Sequence, residues 1–110
     1  MAANLYLYVP ADGDGPSRSD LEEKLEMFFG GAAEDSGAGS GIEGFNLDFD
    51  FAPGQDPHAW ADRLKLFLAN LGVPPGTFFD VFPDGWEPGD EWRRVGVFGE
   101  DRRRIDCPGK

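Results

Sequence analysis

The chain has 110 residues, 40% of them hydrophobic, with ten Phe, three Trp and two Tyr; that suffices for one domain with one core and argues against disorder. Its 21 acidic and 10 basic residues leave a net charge of −11. This works against binding to phosphate backbones, where Lys and Arg must displace counterions, and against anionic membrane surfaces.

The first predicted element is a strand over Asn4–Pro10, where Leu5, Leu7 and Val9 alternate with Tyr6 and Tyr8. Pro10 ends it, and Ala11–Pro16 reads as a turn-rich loop. Ser19 and Glu22 match a capping box, and Leu21, Leu25, Phe28 and Phe29 then fall on one helical face. Gly30-Gly31 stops that helix. Gly31–Gly44, rich in Gly, Ala and Ser, reads as a flexible connection or a ragged strand entry. Phe45–Phe51 is the clearest strand, with Phe45, Leu47, Phe49 and Phe51 on one face and Asn46, Asp48 and Asp50 on the other. Asp56-Pro57 marks a helix start, with Asp as N-cap and Pro in the first turn. The stripe Trp60, Leu64, Phe67, Leu68 and Leu71 follows, ended by Gly72. Thr77–Phe82 is a third strand, Pro83–Asp90 a long loop, and Glu91–Phe98 a fourth strand.

The predicted architecture is therefore α+β, a two-layer β-α-β-α-β-β sandwich. A four-stranded mixed sheet carries two helices on one face. Strands joined by a helix are expected as parallel neighbours with right-handed crossovers, and the last two as an antiparallel hairpin. Residues 1–99 form the domain and 100–110 a polar tail with a basic run at Arg102–Arg104.

The charge is uneven along this layout. Residues 1–57 hold 12 acids and 2 bases, net −10; residues 58–110 hold 9 acids and 8 bases, net −1. The one cysteine, Cys107, allows no internal disulfide, which favours a reducing compartment. With no basic, apolar leader and no apolar run of spanning length, the expected location is the cytoplasm.

Catalytic and ligand motifs fall away on context. Gly39, Gly41 and Gly44 match G-x-G-x-x-G, but they precede a strand, whereas a dinucleotide fingerprint follows a strand and opens a helix. Asp12, Asp14, Asp20 and Glu23 share an EF-hand-like spacing, but Pro16 and Ser17 stand where a ligand and the turn glycine belong. His58 is the only histidine, so a tetrahedral zinc site has too few ligands, and no G-x-S-x-G elbow is present for a serine triad. Asp48, Asp50 and Asp80 could hold a divalent cation or work as an acid–base pair. The plainer reading is solvent-facing acids on strands whose other face is apolar. The sequence thus implies no enzyme, no cofactor, no metal and no nucleic acid.

What remains is the sheet face turned away from the helices. Tyr6, Tyr8, Asn46, Asp48, Asp50, Phe78, Asp80 and Phe82 are expected there, with either Trp92 and Arg94 or Arg93 and Val95 from the last strand. Aromatics beside carboxylates are the composition of a protein-binding patch. Trp86, in the loop Pro83–Asp90, is a natural anchor if exposed and a core cap if folded back. The candidate partner-binding set is Tyr6, Tyr8, Asn46, Asp48, Asp50, Asp80, Trp86 and Trp92.

In size, acidity, lack of a catalytic motif and the run Phe78–Phe98 (FFDVFPDGWEPGDEWRRVGVF), the chain resembles the small acidic immunity proteins of bacterial polymorphic toxin systems. The resemblance implies a cytosolic inhibitor that plugs the catalytic cleft of a basic nuclease- or deaminase-like toxin. Two other readings stand beside it: a homo-oligomeric structural domain that packs its aromatic face on its own copy, and a carboxylate-based metal-binding domain.

Overall fold

In the computed structural model, described over residues 3–11, 15–41, 44–83, 87, 92–99 and, for the backbone alone, 101–104, the alternating segments become strands of one sheet. Strand β1 (Asn4–Pro10) buries Leu5, Leu7 and Val9. Strand β3 (Gly44–Phe51) buries Leu47, Phe49 and Phe51 on the same side, after the Gly-rich strand β2 (Ala33–Gly41). Phe79 and Val81 of β4 (Phe78–Phe82) and Val95 of β5 (Trp92–Gly96) continue that layer.

Helix α1 (Arg18–Phe29) and helix α2 (Pro57–Leu71) close the layer from one side. They bury Leu21, Leu25 and Phe29, and Ala61, Leu64 and Leu68. Each full-sized side chain contributes roughly 1.5–3 kcal/mol. Phe29 packs on Phe49 at 5.1 Å between ring centroids, and Phe28 on Phe67 at 4.5 Å, which ties the helices to the sheet and to each other. The Asp56 cap forms as expected: its carboxylate accepts from the His58 and Ala59 N–H groups at 3.0 and 3.4 Å. The α1 cap sits two residues earlier than expected. Ser17, extended after Pro16, accepts from the Asp20 N–H at 3.2 Å, so Ser19 is already helical. Both helices end on a left-handed glycine, Gly30 and Gly72.

The sheet corrects the expected topology. Among the described residues it has six strands, not four, in the order β2-β3-β1-β4-β5-β6, and every hydrogen-bonded pair is antiparallel, not mixed. Helix-linked strands do run parallel, β1 with β2 and β3 with β4, but another strand lies between each such pair. This split βαβ order over β1–β4 is the plait of ferredoxin-like folds, here extended by β5 and β6. Two segments account for the added strands: one expected as a flexible connection or a ragged strand entry, the other as a polar tail. Ala33–Gly41 pairs along β3 with a bulge between Asp35 and Gly37, and its glycines are tolerated because it is an edge strand. Asp101–Arg104, taken as part of a tail, forms β6 against β5. No described helix is long and apolar enough to cross a membrane.

Candidate functional site

Period-two alternation sends the even-numbered residues of β1, β3, β4 and β5 to the face opposite the helices. The antiparallel register aligns them in rows across the sheet. One row runs Gly37, Asp48, Tyr6, Asp80, Arg94. A second runs Gly39, Asn46, Tyr8, Phe78, Gly96, and a third runs Glu34, Asp50, Asn4, Phe82. Seven of the eight expected site residues therefore share this face; Trp86 lies outside the described residues.

The face divides into two zones. On the β4–β5 side the charge is internally paired. Asp80, only 2% exposed, accepts from Arg94 twice, Nε at 2.7 Å and Nη2 at 3.0 Å. The guanidinium lies over the Phe78 ring at 4.2 Å and the Trp92 ring at 5.2 Å. Tyr8 packs on Phe78 at 5.2 Å and Phe82 on Trp92 at 5.6 Å. Asp80 and Trp92 are thus buried beneath this layer rather than presented to solvent, which alters their expected part. The phase of the last strand is also settled. Arg93 shares the helix-facing side with Val95 and pairs with Asp62 of α2 at 2.7 Å, beside His58, whose Nδ1 is 3.5 Å from its Nη1.

On the β2–β3 side the described residues form no ion pair with the sheet-face carboxylates. Among the described residues no basic group lies within ion-pair distance of Asp48 or Asp50. Asp50 accepts from the Asn4 amide at 2.8 Å. Burial, and then the charges of Asp50 and Asp35, hold the Asp48 carboxyl above its ordinary value. Burial, then Asp48 and Asp80, likewise raise the Tyr6 phenol, which stays a neutral donor at physiological pH.

Depressions formed by the described residues open on this face. One, of about 380 Å³, is lined by Asn4, Tyr6, Asp48, Phe78, Phe82 and the Asp80–Arg94 pair. Another, of about 560 Å³, lies where Gly39 and Gly41 leave β2 bare beside Tyr8, Phe45 and Asn46. Sequence reasoning missed this bare tread. Its signal was present as glycine at every second position, 37, 39 and 41, which in a strand clears one face. The helix layer carries a third depression, along Lys24, Met27, Phe28, Phe67 and Leu71, whose one charge is basic.

Comparison with known proteins finds no matching family model, no matching curated protein and no matching solved structure. The plait alone does not carry a function, since many unrelated activities sit on such folds. Among the described residues no group of three or more His, Cys, Asp or Glu is placed to hold a metal. Asp80, one of the three carboxylates considered for such a role, is committed to Arg94.

Proposed function

We propose that this chain is a protein-binding inhibitor of the immunity type, working in the cytoplasm, which neutralises a basic nuclease- or deaminase-like toxin through its helix-free sheet face. One observation carries the reading: Asp48 and Asp50 lie side by side on that face without cationic partners among the described residues, next to the half-buried aromatics Tyr6, Tyr8 and Phe78. Uncompensated carboxylates steer a cationic surface during encounter, and aromatic anchors then hold it by excluding water. Asp80 and Trp92 serve this face from beneath by fixing Arg94, while Tyr6, Tyr8, Asn46, Asp48 and Asp50 make the contacts.

This reading places a toxin gene next to this one, and the test is binding to the basic domain which that gene would encode. Reversing both charges, Asp48→Lys with Asp50→Lys, lowers affinity by about 100-fold or more, since each like-charge juxtaposition costs several kcal/mol. Circular dichroism checks that the variant stays folded. Undiminished binding by the folded double variant overturns the assignment of this face, and absence of binding by the wild type overturns the function. Light scattering of the unmixed protein separates this reading from self-association through the same face.

A further inference from the structure

We propose that the depression lined by Asn4, Tyr6, Asp48, Phe78 and Phe82 is a socket for one arginine side chain of the partner, with Asp48 as its counter-ion. The identity of the partner rests on the function proposed above; the chemistry of the socket does not. Of the charged residues in its lining, Asp80 and Arg94 pair with each other bidentately, while Asp48 has no cation within ion-pair distance among the described residues. Its walls are aromatic, which suits the methylene stem and the flat guanidinium of arginine more than the compact, strongly hydrated ammonium of lysine. The protein itself provides the precedent in the same lining, where the Arg94 guanidinium lies over Phe78 and reaches a carboxylate with two parallel N–H groups. A volume of about 380 Å³ has room for one such side chain with some water. Asp48 stands high in its titration because burial and acids surround it, and an arriving guanidinium relieves that repulsion.

The experiment titrates the full chain with n-butylguanidinium and, separately, with the uncharged n-butylurea, following backbone amides by NMR. The expected result is a saturable, millimolar response centred on Tyr6, Asp48 and Phe78 with the guanidinium alone. Asp48→Asn weakens it about tenfold, the range of a lost charged hydrogen bond, while Asp50→Asn, which removes the same charge outside the socket lining, weakens it far less. A response to both probes alike, no saturable response, or equal sensitivity to Asp48→Asn and Asp50→Asn overturns the socket. The two proposals fail separately. A socket that takes the probe in a chain that binds no basic protein leaves the inference and removes the function. A toxin bound with full affinity by Asp48→Asn does the reverse.

Discussion

Asp80 is a carboxylate at 2% exposure, and the bidentate pair with Arg94 helps to make its charge tolerable there. Truncating Arg94 to Ala takes a bidentate cationic partner from that charge and removes a guanidinium packed between Phe78 and Trp92. Buried pairs broken on one side lose 3–5 kcal/mol; Arg94 is partly exposed, so a loss of about 2–3 kcal/mol in urea unfolding is expected. Replacing both partners, Asp80→Leu with Arg94→Met, recovers most of it, because neither member of the pair is left without the other. Asp48 behaves in the opposite sense. Its carboxyl is raised in the folded state by burial and by Asp50 and Asp35, with the neutral Tyr6 phenol opposite. The folded chain therefore holds this proton more tightly than the unfolded chain. Its contribution is complete below the ordinary value of 3.8 and is lost as pH rises through the folded value. Asp48→Asn is accordingly more stable than wild type at about pH 7, by less than about 1 kcal/mol, and not at about pH 3. Denaturant midpoints at the two pH values check the sign.

Two glycines of the β2–β3 hairpin look alike in sequence and differ in place. Gly44 has φ +150°, and a Cβ there would lie 2.2 Å from the Val9 carbonyl oxygen, so Gly44→Ala must break the β1–β3 ladder at its end. A loss of more than about 2 kcal/mol is expected. At Gly39 the nearest atoms to a Cβ all belong to the Asn46 side chain, with its Oδ1 closest at 2.9 Å, and that side chain can swing away. Gly39→Ala therefore stays within about 1 kcal/mol of wild type while reshaping the tread beside Tyr8, and its effect is read in toxin binding rather than in melting. These elements also mark what the sequence made legible. Alternation placed Tyr6, Tyr8, Asn46, Asp48 and Asp50 on one face because parity survives any strand order. Strand order itself is decided by long-range pairing, so nothing in Asn4–Pro10 announced that Phe45–Phe51 would insert beside it. β2 was hidden because glycine, alanine and serine have weak strand propensity, and its pairing comes from the partner strand. In Trp92–Gly96 the inward Arg93 breaks the apolar pattern, since its partner Asp62 sits 31 residues away on α2.

Across the molecule the strand order turns a sequence asymmetry into a spatial one. Glu34 and Asp35 on β2 and Asp48 and Asp50 on β3 gather at one end of the sheet, while Arg93 and Arg94 lie on β5 toward the other. Crowded like charges oppose the folded state and are screened over about 10 Å at 0.1 M salt. Added NaCl should raise the melting temperature by a few degrees, each 1 kcal/mol being worth about 4–8 °C in a domain of this size. A flat or falling curve means that the acidic end is neutralised within the chain. The same salt should slow association with a basic partner, read as a falling on-rate with little change in off-rate.

The interior position of β1 has a kinetic consequence. Leu5 lies opposite Phe49 and Val81, 44 and 76 residues further along the chain. On a ribosome adding about 5–20 residues per second, roughly 4–15 s separate synthesis of β1 from synthesis of β4. Through that interval Leu5, Leu7 and Val9 have no complete set of neighbours, and the sheet cannot close from its N-terminus. Pairing of such separation also puts intrinsic folding toward the slow side for a domain of this length. β1 can meet β3 as soon as Phe51 has been made, but it gains its second neighbour only after β4.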